Sequence, residues 1–271
     1  MTSAPDLAAM IQAWRQATID LVDLARSLDP AQGDLPTDLD GWTVHDVLAH
    51  CAHLEHILAG GAEETIDIGS PPHVKNLMGA YTEQGVVARR EDSITDLCQE
   101  IETASRTTHA KLAEHPPTDP TTSPSIPTPG GVPWNNGTLL SNRPLDIWMH
   151  EQDIRRAIDL PGGFGSPAAR HTIGVLGAGL GMVIGKRVQP PEGTVVAVEI
   201  PGTEHAWQLQ VRDGRAVAAG PDLAPDVRLR FTPEDFVVLA GGRRTPGQTG
   251  VEIQGNQELG DAILAALALT P

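Results

Sequence analysis

RPLDIWMHEQDIRRA, residues 143–157, reads as a helix with an unusual stripe. Each helical residue turns by about 100°, so with Asp146 at zero His150 falls near 40° and Asp153 near 340°. Leu145, Ile147, Met149 and Ile154 flank that stripe. Two carboxylates and an imidazole thus lie among apolar neighbours, where a solvated face would carry more polar ones. An acid and a His at i, i+4 stack one turn apart and can reach one cation. Taken alone, the spacing is better accounted for by a local Asp–His ion pair on a partly exposed helix.

A third ligand changes that balance, because zinc sites that do chemistry use three protein ligands and an open position. The segment 43–59 is a second helix, opened by Asp40-Gly41-Trp42-Thr43 and closed by Gly60-Gly61. It carries His45, His50, His53 and His56, and its apolar face is Val44, Val47, Leu48, Cys51 and Leu58. His50 lies about 90° from the centre of that face, at its edge, while His53 and His56 lie about 150° away. His50 can therefore point into a groove between helices, and His53 and His56 are expected to face solvent. With Asp146 and His150 it completes a His₂-carboxylate set suited to zinc or another first-row divalent metal.

Working outward, residues 5–29 repeat apolar positions at helical spacing, and weaker helical patterns cover 75–90 and 93–114. Residues 115–134, HPPTDPTTSPSIPTPGGVPW, hold too many prolines for a helix or a central strand. Such a loop reads as a mobile flap bordering the ligand helix. Beyond Gly165 the texture changes. One helical segment, 167–188, precedes β-like runs at 194–200, 205–211, 214–220 and 226–231, a helix starting at Thr232, the strand VEIQG and a helix over 256–269. The expected architecture is an all-helical domain over 1–164 and a smaller α+β domain over 165–271.

Composition limits the functional classes. The net charge of −16 argues against nucleic acid, which needs clustered Lys and Arg. Sixteen Arg against three Lys is the bias of a GC-rich coding sequence. No basic region followed by an apolar core opens the chain, and no apolar run reads as a membrane span, so a cytoplasmic protein without a membrane partner is expected. The two cysteines, Cys51 and Cys98, sit in helical patterns and read as packing residues.

GWTVHDVLAH (41–50) followed by LDIWMHEQDIRRAIDLPG (145–162) resembles the mycothiol-dependent maleylpyruvate isomerase family, within the DinB-like metalloproteins. The resemblance covers nearly the whole chain. It implies a DinB-like four-helix bundle followed by a smaller α+β sterol-carrier-like domain. It also implies a divalent metal, usually zinc, held by a His and a Glu-x-x-x-His pair, which fall on His50, Asp146 and His150. Asp146 stands where the isomerase pattern has Glu, so the helices must sit closer or the metal must shift. The family's supporting arginine matches Arg243 in Ala-Gly-Gly-Arg-Arg, with Arg244 adjacent; a helix-terminal charge facing water is the other reading of both.

The resemblance implies mycothiol as an external thiol cosubstrate, activated at the metal for isomerisation of, or conjugation to, a small electrophilic substrate. Two further functions fit the same residues. One is a hydrolase using metal-activated water; the other is a binding protein for an apolar ligand, with a purely structural metal. Asp153 could add a fourth ligand, closing the site, or orient His150 from behind. A monomer or small homo-oligomer is expected.

Overall fold

The computed structural model describes residues 6–270. The chain divides into two compact units, one up to His171 and one from Thr172 on. The division falls inside a helix, slightly beyond the boundary expected at 164/165.

The first unit is built on four long helices: α1 (Leu7–Arg26), α2 (Val44–Leu58), α4 (Ile94–Glu114) and α5 (Asn136–Ala157), with the shorter α3 (Leu77–Ala88) beside α2. Each start is fixed by a side chain that satisfies an orphan N–H. Asp6 caps α1 and Asn135 caps α5, while Thr43 with Asp46 and Ser93 with Asp96 form reciprocal capping boxes on α2 and α4. Helix α1 packs on α4 and α5, and α2 on α3, α4 and α5. The core between them includes Trp14, Leu21, Leu48, Leu58, Leu97, Ile101, Ile147 and Trp148, all essentially without solvent access.

Helix α5 extends further back than the opening stretch, and Pro144 sits inside it. Proline there removes one i→i−4 bond. The cap at Asn135 and the buried contacts of the preceding turn, Leu139 and Leu140, carry the helix through that gap.

The proline-rich segment forms no regular element except one 3-10 turn at Pro129–Gly131. Hydrogen bonds nevertheless join it to its surroundings. Asn136 N–H donates to Thr122 O and Gly137 N–H to Pro120 O, each at 2.8 Å. Glu63 takes Gly130 N–H at 3.1 Å and the Tyr81 hydroxyl at 2.8 Å, clasping the turn to α3.

In the second unit, the helical run begun by α6 (Pro167–Ala178) continues through α7 (Leu180–Met182) and a π-helical turn, Val183–Val188. Among the described residues this run, 167–188, is the one long and apolar enough to cross a membrane by composition, yet more than half of its apolar window is buried inside the protein. A helix covered by its own protein needs no bilayer to account for its hydrophobicity. Five strands follow: β1 (Val195–Glu199), β2 (Ala206–Arg212), β3 (Arg215–Ala218), β4 (Val227–Arg230) and β5 (Glu252–Gly255). Their order is β3-β2-β1-β4-β5, antiparallel except for the β1–β4 pair. The buried run Val195–Val198 makes β1 the central strand, with Val198 opposite Trp207 on one side and Leu229 on the other. Helices α8 (Pro233–Ala240) and α9 (Gln257–Ala265) complete the unit.

Trp207 stacks on Phe236 at 5.6 Å, and Phe236 meets Phe231 edge-on at 5.4 Å. This aromatic cluster presses against α6 where Gly177 leaves room. A Cβ there would come within 1.9 Å of Trp207 Cζ2. Gly177→Ala is therefore expected to destabilise the protein by about 1–3 kcal/mol, the usual range for an overpacked core. Thermal denaturation monitored by circular dichroism checks this; an unchanged midpoint would mean that the indole yields without cost.

Candidate metal centre

Three side chains from two helices converge in the first unit. His50 on α2 and Asp146 and His150 on α5 place one possible ligand atom each within 4.8 Å of one another. His50 Nε2 lies 3.8 Å from Asp146 Oδ2, and His150 Nε2 lies 3.7 Å from Asp146 Oδ1. These separations are too long for hydrogen bonds. They suit donors arranged about a common centre, since ligand atoms 2.0–2.2 Å from zinc sit about 3–4 Å apart in a tetrahedron. The two imidazoles meet edge-on, with ring centres 4.7 Å apart. Both are buried, while the Asp146 side chain keeps 21% of its surface, so the cluster opens to solvent on the carboxylate side.

Two of the three donors are held from behind. His150 Nδ1 donates to Asp153 Oδ2 at 3.0 Å, which turns the Nε2 lone pair toward the cluster. Asp153 in turn pairs with Arg156, which also bonds Asp38 at 2.8 Å. Of the two roles open to Asp153, the geometry matches orientation of His150, and the donor set remains at three. Asp146 Oδ2 accepts from Arg143 Nη1 at 3.0 Å. Burial pushes the Asp146 carboxyl upward, but Arg143 and the two imidazoles outweigh it and hold the group well below the usual range. Burial lowers His50, despite the opposing pull of Asp146. A neutral imidazole beside an ionised carboxylate is the protonation state that metal ligation requires. His50 Nδ1 is buried and without a hydrogen-bond partner among the described residues.

Trp42, from the turn that opens α2, walls the cluster. Its ring centre lies 5.1 Å from that of His50 and 6.3 Å from that of His150. Its indole N–H is held by Glu83 at 2.9 Å, and His73 bonds the same carboxylate at 3.0 Å.

Other residues singled out in the sequence fall elsewhere. His53 was expected to face solvent and does not: α3 covers that side of α2, leaving His53 0% exposed against Tyr81 and Gly85. His56 is half-exposed near Glu100. Burial pushes the thiols of Cys51 and Cys98 up, as suits packing residues. Arg243 belongs to the second unit, just past the end of α8, where Nη1 donates to Gly241 O at 2.7 Å and to Thr270 Oγ1 at 3.2 Å. The residues that sequence reasoning missed are Arg143, Glu55, Trp14 and Trp42. Arg143 stands three residues before Asp146 and could have been found as a same-face charge partner; Glu55 carries no such local signal. A separate cavity of about 410 Å³ between α1 and α4, lined by Arg15, Thr18 and His109 among others, includes none of the three donors.

Fold and cluster together define a class: a two-unit protein whose helical bundle carries a His₂-carboxylate set of metal-binding type. The family comparisons agree. Residues 14–155 match the mycothiol maleylpyruvate isomerase N-terminal domain, and residues 173–262 match the C-terminal domain of the same family. The chain belongs to the mycothiol maleylpyruvate isomerase family. Among solved structures, it is similar to the mycothiol-dependent maleylpyruvate isomerase at 17% identity and a TM-score of 0.58, over 92% of this chain and 93% of that one. A mutant of that isomerase superposes with a TM-score of 0.55 at 16% identity, over the same shares. No curated protein matched.

Two histidines away from the cluster, His53 fully buried and His109 partly so, carry a pH signature. Burial lowers His53 and His109 from 6.5 to about 4. Between those values the unfolded chain binds protons that the native state refuses. Their contribution is therefore complete above about pH 6.5 and is lost as pH falls toward 4, at up to about 1.4 kcal/mol per pH unit for each histidine. Urea midpoints are expected to fall steadily from pH 7 to pH 4.5, and less steeply in a His53→Leu/His109→Leu protein. Equal slopes in the two proteins would show that neither ring resists protonation.

Proposed function

We propose that this chain is a mycothiol-dependent metalloenzyme that isomerises a small electrophilic substrate or conjugates the thiol to it. The observation that carries the reading is the convergence of His50, Asp146 and His150 in a chain of this family. The donor set fits zinc or a similar divalent ion, which when bound supplies the Lewis acidity that favours the thiolate form of an incoming thiol.

The chain's own residues have distinct tasks in this reading. His50 and His150 present their Nε2 atoms, and Asp146, kept ionised beside Arg143, supplies the charge. Asp153 holds the proton on His150 Nδ1, so that ring can turn only one nitrogen to the cluster. Trp42 excludes water from one side of the two imidazoles. The nucleophile comes from outside, because both cysteines are buried and their thiols are pushed up. Arg243 is carried over from the family pattern as the group that pairs with an anionic part of the thiol or substrate, since guanidinium meets carboxylate in a bidentate fork.

Metal content and thiol-dependent turnover test the reading together. His50→Ala, Asp146→Ala and His150→Ala are each expected to lose most of the bound metal and with it the mycothiol-dependent activity. His56→Ala serves as the control and keeps both. Asp153→Ala should bind metal about 10–100-fold more weakly, the usual cost of removing a partner behind a ligating His. Full metal retention in the His150→Ala protein would remove the basis of the assignment. Arg243→Ala should keep its metal while kcat/KM falls by the equivalent of about 1.5–3 kcal/mol, the worth of a hydrogen bond to a charged group. Unchanged kinetics in that protein would assign Arg243 a structural role at the end of α8, where it bonds Gly241 and Thr270.

A further inference from the structure

We propose that Arg143 is the positioning residue of the Asp146 carboxylate, and that Glu55 and Trp14 form the brace that fixes Arg143. The inference rests on the metal site proposed above and adds a device that aims one of its ligands.

Arg143 is 0% exposed. Its two terminal nitrogens go to different helices: Nη1 donates to Asp146 Oδ2 at 3.0 Å within α5, and Nη2 donates to Glu55 Oε1 at 3.1 Å on α2. The same Glu55 oxygen accepts the Trp14 indole N–H from α1 at 3.0 Å, and the guanidinium carbon lies 5.8 Å from the centre of the Trp14 ring. Three helices thus fix the direction of one cation.

Stability alone is a poor reason for such an arrangement. Buried ion pairs are often matched or bettered by well-packed apolar residues of the same volume. The arrangement also leaves polar atoms unmet, since Arg143 Nε and Glu55 Oε2 are buried without hydrogen-bond partners among the described residues. What it does achieve is asymmetry in the Asp146 carboxylate. Oδ2 is engaged by Arg143 at 3.0 Å and lies 3.8 Å from His50 Nε2, whereas Oδ1 faces His150 Nε2 at 3.7 Å. A carboxylate pinned through one oxygen cannot turn about its own axis, so it offers the other oxygen alone to a cation. One guanidinium also faces two carboxylates here, and a cation on the ligand side balances the second.

The test uses the full-length protein, freed of metal and titrated with cobalt(II), whose visible absorption weakens as its coordination number rises. Wild type is expected to take up one cobalt with an intense visible band. In Glu55→Ala the brace is gone, Arg143 can leave Oδ2, and the freed carboxylate can hold cobalt through both oxygens. The band per bound cobalt should then fall at least twofold and cobalt affinity shift by about 10–100-fold, as when other groups behind a ligand are removed. Glu55→Gln keeps an acceptor for Trp14 and Arg143 and should retain the wild-type spectrum. If Glu55→Ala does not fold, a Glu55→Met/Arg143→Met protein, which removes both charges of the fully buried pair, takes its place with the same expected spectrum. A lowered melting temperature with an unchanged spectrum per cobalt would overturn the inference and make the network purely structural. Absence of cobalt binding by wild type would overturn the metal site itself, and the inference with it.

Discussion

A guanidinium shut away from water has few ways to be stable, and the first unit is organised around meeting that demand. Arg143 needs Glu55 from one helix and Asp146 from its own, and Glu55 in turn takes the indole N–H of Trp14 from a third. Leaving one member of such a set unpaired costs about 3–5 kcal/mol, because a buried charge then lacks compensation. The relative placement of α1, α2 and α5 is therefore constrained by directional bonds as well as by apolar contact. His50 lies on α2 and His150 on α5, the helices that this network links. The spacing between the imidazoles follows from the same constraint.

Helix α2 shows how far side chains of one type can diverge over two turns. His50 and His53 are both buried, yet His50 turns toward Asp146 and His150 while His53 lies against Tyr81 with both ring nitrogens unpartnered. His56 keeps contact with water near Glu100. The neighbours supplied by α3, α4 and α5 decide these differences. A bundle helix with partners on several sides has no broad solvent face for histidines to share.

That explains what was legible in the chain beforehand. The helices announced themselves through capping residues such as Thr43 and Ser93 and through apolar spacing, which are local signals. The strands were bounded by Pro201-Gly202 and Asp213-Gly214, equally local. The trio His50, Asp146 and His150 could be read because two of its members share a helical stripe and the third sits at the edge of an apolar face. His53 was misread because its environment is set by α3, and nothing in residues 43–59 reports where a later helix will lie. Glu55 and Trp14 were missed for a related reason: their partners stand 88 and 41 residues from Glu55 along the chain. The proline-rich segment was read correctly as irregular. Its order comes from Glu63 and from backbone bonds at Thr122 and Pro120, which proline content does not encode.

The close approach of α3 to α2 bears on how this sequence can change over evolutionary time. A Cβ built on Gly85 would lie 2.1 Å from His53 Cγ and 2.5 Å from His53 Cβ. The second distance matters more than the first. Trimming His53 to alanine would remove the ring and still leave a clash, so among substitutions at 53 only glycine would clear these contacts. The two positions are thus unequal neighbours: residue 53 can lose its ring without a clash at Gly85, whereas residue 85 stays glycine for as long as residue 53 carries a Cβ and the two backbones keep this separation. Among natural relatives, a side chain at the position of Gly85 would mark those in which the helices have moved apart or glycine stands opposite it.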